Sequence, residues 1–274
     1  MKVGFIGFGE VAAILTEELV KNGAEVFTCV EGRSDFTWNL AQEKNVNTVS
    51  TNDMLAQKVD IIISAVTPSA AIDSAASIGN NFKGIYVDIN NISPEVVKSA
   101  LQHIKQGKVV DAAIIGSVNR KKVQILASGK HAPEFAQLND FGLNIKITGT
   151  EIGQASGIKM LRSSYTKGVS ALLWETFYAA YKMGVDEELL KVIGSTEGPD
   201  FEASAASRII STAFHASRRQ EEMQNVQSFL SLTSDPIMIK CIKKKFHEID
   251  QKLKKLEKKP ENYQEAFLLW ENDI

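Results

Sequence analysis

Cysteine is nearly missing from this chain: Cys29 and Cys241 are the whole complement of 274 residues. That is too few for a disulfide framework, and Cys29 is expected to face inward on a strand. Histidine is also scarce. His103, His131 and His247 have no cysteine or acidic partner at ligand spacing, so no metal site is expected. No apolar run approaches the ~20 residues of a membrane span. The early apolar run, residues 3–8, is short and ends at Glu10, which makes a poor signal peptide. A formal net charge of −2 gives no electrostatic argument for a nucleic-acid or membrane partner. Neither internal repeats nor low-complexity linkers are evident. What remains is a soluble globular composition, 44% hydrophobic and 23% charged, with length for one large domain or two ordinary ones. The cytoplasm is the expected location.

The first stretch organises the rest. Lys2-Val-Gly-Phe-Ile6 reads as a strand, Gly7-Phe-Gly-Glu-Val-Ala12 as a glycine turn opening a helix, and Ala24-Glu-Val-Phe-Thr-Cys-Val30 as a second strand. Gly7, Gly9 and Ala12 occupy the G-x-G-x-x-G/A positions. The first glycine allows the tight turn, the second lets backbone approach a pyrophosphate, and the small third residue lets the helix lie close on the sheet. The helix start offers free N–H groups and a positive dipole end to a phosphate. Gly7, Phe8, Gly9, Glu10 and Val11 are therefore candidate cofactor-binding residues. A G-x-G-x-x-A on its own is weak evidence; its place between two strands at the right distance makes dinucleotide binding the favoured reading over a turn that binds nothing.

Short apolar runs continue to alternate with helical segments: strands near residues 46–49, 59–66, 85–89, 109–115, 123–127 and 144–148, with helices between several of them, including about 37–44, 53–57, 70–78 and 94–106. Such alternation predicts an α/β Rossmann-type, doubly wound parallel sheet. Ligands of such sheets bind beyond the carboxyl ends of the strands. Those ends carry Gly7 to Gly9, Arg33, the group Val66, Thr67 and Pro68, and Asn90. Near residue 150 the composition changes. Residues 154–183 contain no proline, and Ile158, Leu161, Tyr165, Val169 and Leu172 recur at helical steps before Gly184. Helices follow at about 187–193, 202–231, 236–258 and 263 onward. The expected domains are 1–150, a dinucleotide-binding unit, and 151–274, an all-α unit for substrate and dimerisation. Lysine-dense residues 240–259 read as an amphipathic helix with a solvated face, not a nucleic-acid patch.

Two features bear on ligands. Ser156, Lys159, Arg162, Ser163 and Thr166 lie along one face of the long helix; spacing alone leaves a solvated face and a ligand wall equally open. After the second strand, Glu31 and Arg33 compete: a carboxylate favours NAD, an arginine the 2′-phosphate of NADP. Gly32-Arg-Ser34 gathers a guanidinium, a hydroxyl and backbone N–H groups with Thr37 one step on. NADP is favoured over NAD, against the plain alternative that Arg33 is a surface residue.

The order and wording of the motifs resemble the β-hydroxyacid dehydrogenase superfamily, which includes 6-phosphogluconate dehydrogenase and 3-hydroxyisobutyrate dehydrogenase. Four stretches carry the likeness: residues 4–9, residues 86–94 (Tyr86-Val-Asp-Ile-Asn-Asn-Ile-Ser-Pro94), residues 111–116 (Asp111-Ala-Ala-Ile-Ile-Gly116), and residues 157–163 (Gly157-Ile-Lys-Met-Leu-Arg-Ser163). The combination looks most like a 6-phosphogluconate dehydrogenase-like branch with a distinctive helical C-terminal domain. The resemblance implies that Lys159 is the catalytic acid/base, its pKa lowered by burial and a cation such as Arg162, and that Asn90 sits beside nicotinamide and substrate. It further implies that Gly116 lies in the substrate loop and that the helical domain forms a homodimer. Ser117, Ser156, Arg162 and Ser163 are added as candidate residues for a small anionic substrate, from the loop and the polar stripe of the long helix. The chain departs from the family at Arg162, where relatives have asparagine, and at Ala113, Ile115 and Ser117 in the substrate loop. The loss of a hydroxyl at Ile115 suggests that Arg162, with Ser117 or Ser163, takes over an anionic group. His215, Arg219 and Glu222 are secondary candidates. The implied activity is NADP-dependent interconversion of a small hydroxy acid and its oxo acid. Imine reduction and a catalytically silent NADP-binding sensor are the alternatives.

Overall fold

The computed structural model describes residues 1–116 and 123–272. It divides into two compact units, Met1–Lys159 and Met160–Ile274. The division falls inside a long helix, whereas the composition changes near residue 150.

The first unit is built on an eight-stranded sheet. Its strands are β1 (Lys2–Ile6), β2 (Glu25–Cys29), β3 (Asn47–Val49), β4 (Ile61–Ser64), β5 (Ile85–Asp88), β6 (Lys108–Ile115), β7 (Gln124–Ser128) and β8 (Asn144–Gly149). They lie in the order β3-β2-β1-β4-β5-β6-β7-β8. The first six are parallel, while β7 runs antiparallel to β6 and β8 follows β7 in parallel. The fold is Rossmann-like, as expected, with the refinement that its last two strands run against the rest. The chain leaves β1 toward β2 and β3 on one side and returns as β4 on the other, so the carboxyl ends of β1 and β4 flank the crevice where the strand order reverses.

Strand alternation sends side chains to two cores. Val3, Phe5, Ile61, Ile63, Val87 and Val110 pack on one face with Leu15 and Leu19 of α1 (Glu10–Lys21). Ile6, Ile62 and Tyr86 pack on the other with Leu55 of α3 (Asn52–Lys58), Ile78 of α4 (Ala71–Ile78) and Val97 of α5 (Pro94–Leu101). Between α1 and α3 lies α2 (Asp35–Glu43), which is started by Ser34: its hydroxyl accepts from the Thr37 N–H at 3.4 Å. Residues 129–143, which carry no strong periodicity, form the short α6 (Ala132–Phe135) and a 3₁₀ segment.

The remaining helices are α7 (Gln154–Met183), α8 (Asp186–Glu197), α9 (Phe201–Leu230), α10 (Ile237–Lys252) and α11 (Tyr263–Glu271). The core of the second unit is aromatic. Trp174 of α7 meets Phe267 and Trp270 of α11 edge to face, at 5.2 and 5.9 Å between ring centroids. In α10, Phe246 and Ile249 are buried, Lys240 and Lys244 are exposed, and Lys243, Lys245 and Lys252 are half-buried, Lys252 over the Trp270 ring. The helix stops at Lys252, short of the expected 258. α9 is kinked at His215 (φ −122°, ψ 22°).

Of the apolar repeat that signals α7, Val169 packs against the core but the other four members do not mark the buried face. Leu161, Tyr165 and Leu172 are 51%, 72% and 66% exposed, and Ile158 is also exposed. Met160, Leu173, Trp174 and Phe177 make the core contact instead. Two apolar faces compete on this helix, and periodicity cannot say which one the chain covers.

Candidate functional site

The Gly7 turn connects β1 to α1 under a tight constraint. Gly7 has φ +82°, and a Cβ there would lie 2.5 Å from the Ala65 carbonyl oxygen and 2.7 Å from Val66 Cγ1. Only glycine fits. Gly9 caps α1 with extended backbone (φ −110°, ψ −160°) and no side-chain cap, and a Cβ there would meet nothing within 4 Å among the described residues. Open space over a helix start of uncapped N–H groups is the arrangement a dinucleotide pyrophosphate requires. Ala12 is fully buried against the sheet. Phe8 is buried, Glu10 is exposed in the first helical turn and Val11 is half-buried. The residues present fit a dinucleotide.

Beyond β2, Arg33 and Ser34 are exposed and Thr37 is half-buried. Ser34 and Thr37 also bond each other, 3.3 Å between hydroxyl oxygens, so the pair has a structural task as the start of α2.

A buried polar network begins at the end of β4. The Ala65 N–H donates to the Ile6 carbonyl at 2.8 Å, continuing the β1–β4 pairing. The Val66 N–H donates to Asn90 Oδ1 at 2.7 Å. Asn90 Nδ2 donates to Ser64 Oγ at 3.1 Å and to Asp88 Oδ2 at 2.9 Å, while its backbone N–H donates to Asp88 Oδ1 at 3.0 Å. Both amide hydrogens of Asn90 are thus used inside the protein. In this arrangement Asn90 fixes the ends of β4 and β5 and offers no amide hydrogen to a ligand. Thr67 and Pro68 follow Val66 and are exposed.

Asp88 is fully buried at the end of β5. Burial pushes its pKa up to about 6; the Asn90 bonds pull it down, Asp111 raises it and Lys159 lowers it. Lys159 is half-buried on α7 and stands within electrostatic reach of that carboxylate. A continuous set of contacts therefore runs from the glycine turn through Val66 and Asn90 to Asp88, and on by charge to Lys159.

Asp111, paired with Asp88 in the register of β5 and β6, sets the start of α7. Its Oδ2 accepts from the Gly153 N–H at 3.0 Å, from the Ser156 N–H and Oγ at 3.1 Å each, and from Ser128 Oγ at 3.1 Å. Ser128 Oγ in turn accepts from the Ala155 N–H at 2.9 Å. A carboxylate and a hydroxyl from the sheet thereby cap a helix remote in sequence, with negative charge at its positive end. Burial raises the Asp111 pKa against these bonds. Ser156, read as a substrate residue, is buried and taken up by this cap.

Of the other candidates, Gly116 is exposed with φ +89° at the end of β6, and Ser117 lies outside the described residues. Arg162 is exposed and Ser163 half-buried on α7. His215 stands at the α9 kink, exposed, with Arg219 and Glu222 on the same helix. Asp88, Asp111, Ser64 and Ser128 carry the network and were not among the sequence candidates. Their signal was present: a carboxylate inside an otherwise apolar strand, in Tyr86-Val-Asp88 and Val109-Val-Asp111, is costly unless hydrogen-bonded.

Comparison with known proteins bears on the same regions. Residues 2–92 match the family model described as NADP oxidoreductase, coenzyme F420-dependent, and residues 180–249 match a domain of unknown function, DUF1932. An uncharacterized 28.5 kDa protein of Methanothermus fervidus is 43% identical over 252 residues, 92% of this chain and 100% of that one. The mitochondrial 3-hydroxyisobutyrate dehydrogenase of Drosophila melanogaster is 27% identical over 215 residues, 72% of this chain and 64% of its own length. A solved conserved protein of unknown function, structurally similar to 3-hydroxyacid dehydrogenases, superposes with a TM-score of 0.85 at 50% identity, covering 91% of this chain and 97% of that one.

Proposed function

Because the chain belongs to the β-hydroxyacid dehydrogenase superfamily, we propose that it is an NADP-dependent oxidoreductase interconverting a small hydroxy acid and its oxo acid, with Lys159 as the acid/base. Family membership rests on the solved relative, 50% identical over 97% of its length and structurally similar to 3-hydroxyacid dehydrogenases, and on the match to the Drosophila 3-hydroxyisobutyrate dehydrogenase. The observation that carries the reading is the contact path from the Gly7 turn through Val66, Asn90 and Asp88 to Lys159. It joins the dinucleotide turn to the lysine that the family resemblance assigns to proton transfer.

The bound nicotinamide would supply the hydride chemistry. The uncapped start of α1 would hold its pyrophosphate, and Arg33 would meet the 2′-phosphate of the adenosine ribose. In the oxidative direction the Lys159 amine takes the proton from the substrate hydroxyl as the carbon loses hydride. In the reductive direction the Lys159 ammonium returns a proton to the carbonyl oxygen. Asp88, ionised above about pH 6, steadies the ammonium form. Asn90 acts through Asp88 and Val66, which makes it a positioning residue in this scheme. Arg162, exposed on α7, is the side chain for a substrate carboxylate or phosphate. The exposed row Leu161, Tyr165 and Leu172 supports self-association through the helical unit as a homodimer; sedimentation that finds only monomer would oppose that part alone.

The test is NADP⁺ reduction across 3-hydroxy acids and sugar acids, with wild type and Lys159→Ala run together. Turnover lost in the variant while NADP⁺ still binds is the expected result. Undiminished turnover in Lys159→Ala would remove the lysine from the mechanism. Turnover by neither protein, with reduction of imines by wild type, would replace hydroxy-acid chemistry with C=N reduction.

A further inference from the structure

The helical unit contains a pocket of about 190 Å³ between α7 and α9, lined by Thr166, Lys167, Ser207, Arg208, Ser211 and Arg219 among others. Its lining is three cations and a set of hydroxyls; no acidic side chain lines it among the described residues. Two of the cations are held in place by the fold without being neutralised. Arg208 Nη1 donates to the Thr166 carbonyl at 3.1 Å and its Nε to Ser204 Oγ at 3.4 Å. Arg219 donates from Nη2 to Ser211 Oγ at 3.0 Å and from Nη1 to Thr212 Oγ1, and its guanidinium carbon lies 5.8 Å from the centre of the Phe246 ring.

Among the described residues neither guanidinium has a carboxylate within 4.0 Å. Glu222, one turn beyond Arg219 on α9, is engaged elsewhere, by Lys167 at 2.6 Å and Arg218 at 3.2 Å. Burial would raise the Glu222 carboxyl, but Lys167 and Arg218 outweigh it and hold it below the usual range. Burial pushes the Arg219 pKa down to about 10, against the pull of Glu222 and with Arg208 and Arg218 adding to the push. The fold thus retains a partly buried positive charge, and more charge beside it, at a cost that a counter-charge would relieve. Each guanidinium keeps donors beyond the two it uses, and the serine hydroxyls can rotate to donate as well. The volume is that of about six waters at ~30 Å³ each, room for a phosphate or the acidic end of a small organic acid.

We propose that this pocket binds an oxoanion, a carboxylate or phosphate group, gripped by Arg208 and Arg219 with Lys167 and the hydroxyls of Ser207 and Ser211 around it. Oxoanion binding is independent of the redox reading; only its assignment to a substrate rests on that reading. The oxoanion has two sources: the anionic end of a substrate, or a separate small anion that occupies the helical unit by itself.

The probe is inorganic phosphate, titrated into the full chain by calorimetry and by phosphorus NMR, with chloride added to match ionic strength. Saturable binding in the millimolar range, weakened about tenfold or more in Arg208→Gln with helical content unchanged, is the expected result. Arg219→Gln gives the same loss where it folds; because its side chain packs over Phe246, Arg208→Gln carries the test. No saturable binding by wild type, or equal binding by wild type and both variants, overturns the proposal. With a turnover assay in hand, phosphate that raises KM at constant kcat in wild type but not in Arg208→Gln assigns the pocket to the substrate's anionic end. Phosphate that binds without that competition assigns it to a separate anion. Binding is read without turnover, so failure of the pocket and failure of the dehydrogenase reading are separate outcomes.

Discussion

Replacing Asp111 with alanine removes one oxygen that accepts four hydrogen bonds at the start of α7. The two hydroxyls can turn elsewhere: Ser156 Oγ already lies 3.3 Å from the Gly153 carbonyl. The Gly153 and Ser156 N–H groups cannot, and each buried unpaired donor costs ~1–3 kcal/mol. Loss of a charge at the helix N-terminus adds ~0.5–1 kcal/mol. Against this, alanine relieves the burial of a carboxylate whose pKa is already raised and whose Oδ1 has no hydrogen-bond partner among the described residues. The net expectation is destabilisation of roughly 2–5 kcal/mol, a large part of the ~5–15 kcal/mol that holds a domain together. In urea unfolding followed by circular dichroism, the transition of the first unit should move down by about 1–2.5 M for a slope of ~2 kcal/mol/M. Asp111→Asn should cost less, because its amide oxygen can take the place of Oδ2. Midpoints for both variants within ~0.3 M of wild type would refute the view that this carboxylate sets the α7 start.

Other perturbations probe neighbouring parts of the site. Gly7→Ala places a methyl against the Ala65 carbonyl and Val66 at φ +82°, whereas Gly9→Ala meets open space; the first should lower thermal stability by several degrees, and the second should leave it nearly unchanged while weakening NADP⁺ binding about tenfold. Equal stability loss in both would contradict this division. Asp88 has a folded-state value near 6 against an ordinary 3.8, so the native state holds an extra proton between those values. Its contribution to stability is complete below about pH 4 and is lost as pH rises through about 6, on the order of 3 kcal/mol in all; Asp88→Asn should flatten the fall across that window, and an unchanged pH profile would contradict the assignment. Arg33→Ala should weaken NADP⁺ at least about tenfold and leave NAD⁺ nearly unaffected, and parallel losses for both cofactors would rule out a 2′-phosphate contact.

Much of the fold is local enough to be legible. The strand, glycine turn, helix and strand of the first thirty or so residues follow from period-2 and period-3.6 patterning plus one position where only glycine fits. The long proline-free stretch gives α7 with both ends as read, Gln154 and Met183. Ser34 starts α2 through a bond three residues away, a local signal too, although the expected start is only about residue 37.

What the tertiary structure decided is everything that depends on which distant segments become neighbours. The reversal at β7 follows from its pairing with β6, which no periodicity encodes. The exposed row on α7 follows from which of two apolar faces meets Phe267 and Trp270. Asp88 and Asp111 are single charges in apolar strands until sheet order sets them side by side. One is then held by Asn90 near Lys159, and the other caps a helix more than forty residues on. Patterning along a chain specifies elements because their hydrogen bonds close within a few residues. A site specifies itself only when burial brings its polar groups together and leaves them no partner but each other.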